Sequence, residues 1–169
     1  MVRVLTETTF PPVTRMILRA DGSMTRLLEA LVDADLGLNL TEQRATTGGE
    51  LPVAVRAALG CADRDPVVVR RSALVTGSGS TVSRNTVVIV DTDRELTALL
   101  TDGGLPIGHS LAAAGKQLAR TVIRSGLTRW DGVPCAYKES VLSDASAPPT
   151  VHLHERFNPA FVPVGRCRS

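Results

Sequence analysis

The stretch from Val67 to Val90 constrains this chain more than any other. Val67-Val68-Val69 opens an apolar, β-branched run that continues to about Val75, and Thr81 to Val90 is a second such run. Gly77-Ser78-Gly79-Ser80 stands between them as a turn. Two β-prone runs joined by a Gly-Ser turn predict a hairpin, and so an antiparallel sheet. Gly-Ser runs also occur in phosphate loops, but this one lacks the GxxxxGK[ST] spacing and lies between strands.

Helices and strands can be placed around that hairpin. Pro11-Pro12 opens a helix reaching about Arg19, and Asp21-Gly22 breaks it. Asp21 or Ser23 then caps a second helix over Met24–Val32, where Met24, Leu27, Leu28 and Leu31 follow the helical period. Leu36 to Glu42 alternates apolar and polar residues and reads as a half-buried strand, Thr46 to Gly49 as a loop, and Leu51 to Leu59 as a short helix. After the hairpin, Asp91 or Thr92 caps a helix over Arg94–Leu100. Asp102 to Pro106 forms a loop, and a longer helix is predicted from about Ile107 to Arg124. Lys116, Arg120 and Arg124 would lie along one solvated face of that helix. Cys135–Leu142 and Thr150–Phe157 read as closing strands, joined by a polar turn over Ser143–Pro149. Helices inserted between hairpins imply an α+β domain with a mainly antiparallel sheet, spanning residues 1–169 as one unit.

Composition narrows the function classes. The 19 basic and 17 acidic residues leave a net charge of +2, too balanced for a chain that mainly binds nucleic acid. Aromatic residues are confined to Phe10, Trp130, Tyr137, Phe157 and Phe161, too few for a base-stacking platform. Only Lys116 and Lys138 are lysines, so an anion site would be built mostly from guanidinium groups, which suit planar carboxylates. Cys61, Cys135 and Cys167 are an odd number without metal-ligand spacing, the pattern of reduced thiols in a cytoplasmic protein. No apolar run is of transmembrane length, and the stretch around Glu7 is not a secretory signal. The expected protein is soluble and cytoplasmic, a monomer or small homo-oligomer, with a small-molecule partner, no nucleic-acid or membrane partner, and no cofactor or metal.

Four motifs carry a resemblance. They are Asp21-Gly22-Ser23-Met24-Thr25-Arg26-Leu27-Leu28-Glu29 at a helix opening, Val68-Val69-Arg70-Arg71 on a strand entering the hairpin, and Leu105-Pro106-Ile107-Gly108 before a helix. The fourth is Pro149-Thr150-Val151-His152-Leu153-His154-Glu155-Arg156-Phe157 on the last strand. In this order the chain resembles the chorismate pyruvate-lyase family, including its shorter actinobacterial-type members, over about residues 12–160.

The resemblance implies an antiparallel sheet of about six strands whose helical flaps close over a buried aromatic-acid site. It implies elimination of pyruvate from chorismate to give 4-hydroxybenzoate, a carbon–oxygen lyase reaction without cofactor. Arg70 would hold the ring carboxylate, or Arg71 if the alignment slips by one. Backbone amides at Met24 and Ile107 would assist, and Glu155 would face the para oxygen. Glu139 is a competing acid, because Gly132-Val133-Pro134 gives Cys135–Glu139 a similar context.

Residue chemistry is consistent with those roles. A buried carboxylate needs a cation and donors, and arginine can supply a bidentate partner. Arg70 follows three valines, so it stands beside apolar core or snorkels to the sheet edge. Amides at the helix starts of Met24 and Ile107 can bind an anion, and Gly108 would let backbone approach a ligand closely. Strand alternation puts Glu155 among Val151, Leu153 and Phe157, where burial would favour its protonated, proton-donating form. His152 and His154 share the other face without a third ligand at metal spacing, and His109 reads as solvated.

Two other functions remain open. One is a diverged enzyme of the same fold acting on another cyclic or polyketide-like substrate in specialised metabolism. The other is a non-catalytic small-molecule sensor, since effector-binding domains of some transcription regulators share the fold. Such domains normally follow a DNA-binding domain, for which the residues before Val13 leave no room, so a free-standing sensor would need a partner.

Overall fold

The structure, a computed structural model, describes residues 10–144 and 147–165. Glu7 and Cys167 lie outside the described residues, as do two positions of the Ser143–Pro149 turn. Six strands form one sheet: β1 (Leu36–Thr47), β2 (Pro66–Thr76), β3 (Thr81–Val90), β4 (Ala119–Trp130), β5 (Val133–Ser143) and β6 (Val151–Phe157). Their spatial order is β1-β2-β3-β6-β5-β4, with every neighbouring pair antiparallel. Five helices accompany them: α1 (Pro12–Arg19), α2 (Met24–Val32), α3 (Val53–Leu59), α4 (Arg94–Thr101) and α5 (Ile107–Ala113). The α+β class and the antiparallel sheet agree with the expectation from sequence.

Two boundaries are corrected. β1 continues through Thr47 instead of stopping near Glu42, with a bulge between Leu40 and Glu42. The long helix over Ile107–Arg124 does not form: α5 stops at Ala113, and Gly115 turns the chain with φ +63°. The following Thr121-Val122-Ile123 run is β-branched, stiff at χ1 and better placed in a sheet. Arg120 and Arg124 therefore lie on edge strand β4. Asp131 and Gly132, with φ 47° and 89°, close β4 onto β5 in the two-residue turn that Asp-Gly favours.

Strand alternation divides the sheet into two faces. On one face an apolar cluster under α1 and α2 includes Ile17, Leu28, Leu74 and Phe157, and a second under α4 and α5 includes Val87, Ile89, Leu100 and Val151. The other face holds a third cluster, where Leu51 and Leu59 cover Val67, Val69, Val88 and Val90. Between the first two clusters the sheet is polar. Ser72, Asn85, Glu155 and Lys138 are successive register partners on β2, β3, β6 and β5, forming a polar row across the sheet.

Candidate ligand-binding site

A cavity of about 520 Å³ lies over that polar row. Its floor includes Arg70, Ser72, Asn85, Arg120 and Glu155. One wall is the Asp21–Arg26 segment that opens α2; the other is Pro106, Ile107 and Gly108 with Leu111 and Gln117 further on. Leu38, Leu74, Val87 and Leu153 supply apolar lining.

The two walls meet. Ser23 caps α2 by accepting a hydrogen bond from the Arg26 amide. A Cβ on Gly108 would stand 2.8 Å from Ser23 Oγ and 3.1 Å from Thr25 Oγ1. Gly108 thus permits close packing of α5 on α2, where the sequence suggested close approach to a ligand. His109 is likewise paired: its Nε2 lies 3.2 Å from the Glu29 carboxylate on α2. Gly108→Val is expected to pry this seam apart, costing about 1–3 kcal/mol, because Ser23 cannot rotate away without losing its cap. Urea denaturation beside wild type measures the loss.

Register decides between the paired candidates. Arg70 lies opposite Val87 on the cavity face, whereas Arg71 points the other way and pairs with Glu42 at 2.9 Å. Glu155 lines the cavity. Glu139 is on the reverse face, 3.7 Å from His152 Nε2 and 3.9 Å from Arg124. His154 stacks on Tyr137 there, at 5.4 Å between ring centroids. Burial lowers both histidines below the usual imidazole range. Among the described residues no group of three His, Cys, Asp or Glu side chains converges on a metal position. Cys61 and Cys135 are buried free thiols, which burial pushes up.

Arg70 and Glu155 both contact other groups of the chain. Arg70 is 1 % exposed. Its Nη1 donates to Leu100 O and its Nη2 to Asp102 O at 3.0 Å and Leu105 O at 3.3 Å, while Nε has no partner. A guanidinium so engaged holds the α4–α5 connection and has no bidentate edge left for a ligand carboxylate. Burial lowers its pKa, opposed by Asp102 nearby. Glu155 stands among apolar neighbours on β6, and its Oε2 accepts a hydrogen bond from Arg120 Nη1 at 2.8 Å, in an ion pair whose side chains are 7 % and 9 % exposed.

Two cavity-face residues were not singled out as site residues. Arg120 was placed on a solvated helix, although its position just past Gly115 is a signal for a new element. Lys138 is fully buried, and its Nζ donates to Ile17 O and Ala20 O, each at 2.8 Å. Burial lowers this ammonium to about 8, with Glu155 opposing the shift.

No family model matches the chain, and no curated protein matches it. Solved structures do. PhnF from Mycobacterium smegmatis aligns with a TM-score of 0.61 at 14 % identity, over 89 % of this chain and 70 % of that one. Its separate effector domain aligns with a TM-score of 0.60 at 16 % identity, over 82 % of this chain and 90 % of that domain. The ligand-binding domain of a putative GntR-family transcriptional regulator from Bordetella bronchiseptica gives 0.56 at 12 % identity, over 80 % and 92 %. The fold is that of regulator ligand-binding domains.

This comparison corrects the expectation of an enzyme. The similar structures include effector and ligand-binding domains of regulators, in the fold that the sequence resemblance to chorismate lyases implied. The lyase assignment is withdrawn. Among the described residues no helix is long and apolar enough to cross a membrane.

Proposed function

We propose that this chain is a non-catalytic, small-molecule-binding sensor domain. The observation that carries this reading is the polar row Ser72, Asn85, Glu155 and Lys138, enclosed between two apolar clusters and topped by a cavity of about 520 Å³. Burying so much polarity in a sheet core is costly unless partners satisfy it, and a cavity mixing apolar walls with a few polar groups suits a small ligand. The regulator domains of the same fold support the same reading. Met24, Ile107 and Gly108 form the ligand's walls and Glu155 its floor. Arg70 lies in the floor too, with its Nη donors on the α4–α5 connection, and positions the segment that bears Ile107.

A metabolite mixture screened by nitrogen–proton NMR tests this. A ligand should shift the Met24, Gly108 and Gly115 amides and be recovered chemically unchanged. Conversion of the ligand, or shifts confined to other regions, would overturn the proposal.

A further inference from the structure

Buried Lys138, at 0 % exposure, and Glu155, at 5 %, stand together on the cavity face with Arg120, whose side chain is 9 % exposed. Lys138 and Glu155 are register partners, and Arg120 reaches Glu155 from β4. Glu155 thus meets one cation from β5 and another from β4. Buried charge persists only where it is compensated, and this group sets two cations against a single carboxylate. Lys138 has further compensation in the Ile17 and Ala20 carbonyls. Arg120 gives its Nη1 to Glu155, and it lines the cavity. Arg70, the other arginine of the floor, has its Nη donors on carbonyls. The whole lining is also biased, with Arg26, Arg70, Lys116 and Arg120 against Asp21 and Glu155.

We infer that the cavity takes an organic anion whose carboxylate or phosphate head binds Arg120 and joins Lys138, Glu155 and Arg120 as a second negative charge. This rests on the ligand-binding reading and names its ligand class. A guanidinium carries five N–H groups in one plane, so it can hold Glu155 on one side and a second oxyanion on another. Lys138, beside Glu155 on β5, offsets the charge that the ligand brings. A cationic ligand would face Arg120. The rest of the ligand is apolar, to match Leu38, Leu74, Val87 and Leu153.

Calorimetric titration of the full chain with benzoate, phenyl phosphate and benzamide provides the test. Benzoate and benzamide have nearly the same shape and differ in charge. At least one anion should bind about tenfold or more tightly than benzamide, as expected for charge-assisted hydrogen bonds. Which anion binds better distinguishes a carboxylate from a phosphate head. Arg120→Met should erase the difference and Arg120→Lys should keep part of it, with thermal melts showing that both variants fold. Equal binding of benzamide and the anions, or a preference that survives in Arg120→Met, would overturn the inference and leave ligand binding intact. The variants are also titrated with ligands from the metabolite screen. An anionic ligand weakened at least about tenfold by Arg120→Met supports the inference; a neutral or cationic ligand overturns it. If neither experiment yields any ligand, the ligand-binding reading itself fails.

Discussion

Arg70→Met is expected to destabilise the domain by about 2–4 kcal/mol and to loosen one wall of the cavity selectively. The guanidinium serves three carbonyls: Leu100 O at the end of α4, and Asp102 O and Leu105 O beyond it. The last carbonyls of a helix have no partner within it, and Leu100 is fully buried, so water cannot replace the arginine at that point. Each carbonyl left unpaired costs about 1–3 kcal/mol, reduced where the connection can turn towards solvent. Removing a buried charge recovers part of this. The carbonyls outnumber that single gain, and the net effect should be a loss. In a domain of this size it corresponds to a fall in Tm of roughly 5–15 °C. Hydrogen exchange should rise across residues 99–118 and stay unchanged in α3, on the other face of the sheet. Arg70→Lys should recover only part of the loss, because an ammonium is a point donor and cannot fork to three dispersed oxygens. Wild-type stability in Arg70→Met, or exchange that rises equally in α3, would refute the role of Arg70 as the pin of this wall.

Much of this architecture is legible in the sequence wherever alternation or capping is unambiguous. The Val67–Val90 hairpin follows from β-branched runs around a Gly-Ser turn. The start of α2 follows from Ser23, whose side chain does cap it. The cavity-facing side of β6 follows from Val151, Leu153, Glu155 and Phe157, since each apolar position there is buried. Elsewhere the local pattern is degenerate. Val67-Val68-Val69 is apolar on both faces, so it cannot tell which of Arg70 and Arg71 points inwards. Pairing with β3 decides that. Lys138 and Glu139 are adjacent charges of opposite sign on β5, and only the register with Glu155 and His154 assigns them to faces. Lys116, Arg120 and Arg124 have helical spacing by coincidence, which conceals β4 and with it the partner of Glu155. The polar row as a whole is not legible, because it joins the β2–β3 pair to the β5–β6 pair, which lie far apart in sequence.

Lys138→Met tests that row most directly, and pH gives it a signature that packing alone would not. Methionine matches much of the lysine's length but donates nothing to Ile17 O and Ala20 O, which end α1. The expected loss at pH 7 is about 2–4 kcal/mol, the cost of two unpaired carbonyls less the gain from no longer burying an ammonium. Burial, opposed by Glu155 and Asp21 and reinforced by Arg120, lowers the folded-state pKa of Lys138 from 10.5 to about 8. Below about 8 both the folded and unfolded chains hold the proton, and the cost of burying it is fully present. Between about 8 and 10.5 the unfolded chain binds more protons than the folded one, so wild-type stability rises with pH. The slope is at most about 1.4 kcal/mol per pH unit for one such group. The neutral amine can still donate to both carbonyls. Wild type therefore gains stability across this window while Lys138→Met does not, and the gap between them should widen as the lysine loses its charge. Thiols, Tyr137 and Lys116 are common to both proteins and cancel in the difference. Urea denaturation of the pair at pH 7 and pH 9.5 measures it. A gap that narrows or stays constant would mean that Lys138 does not carry a strained buried charge beside Glu155.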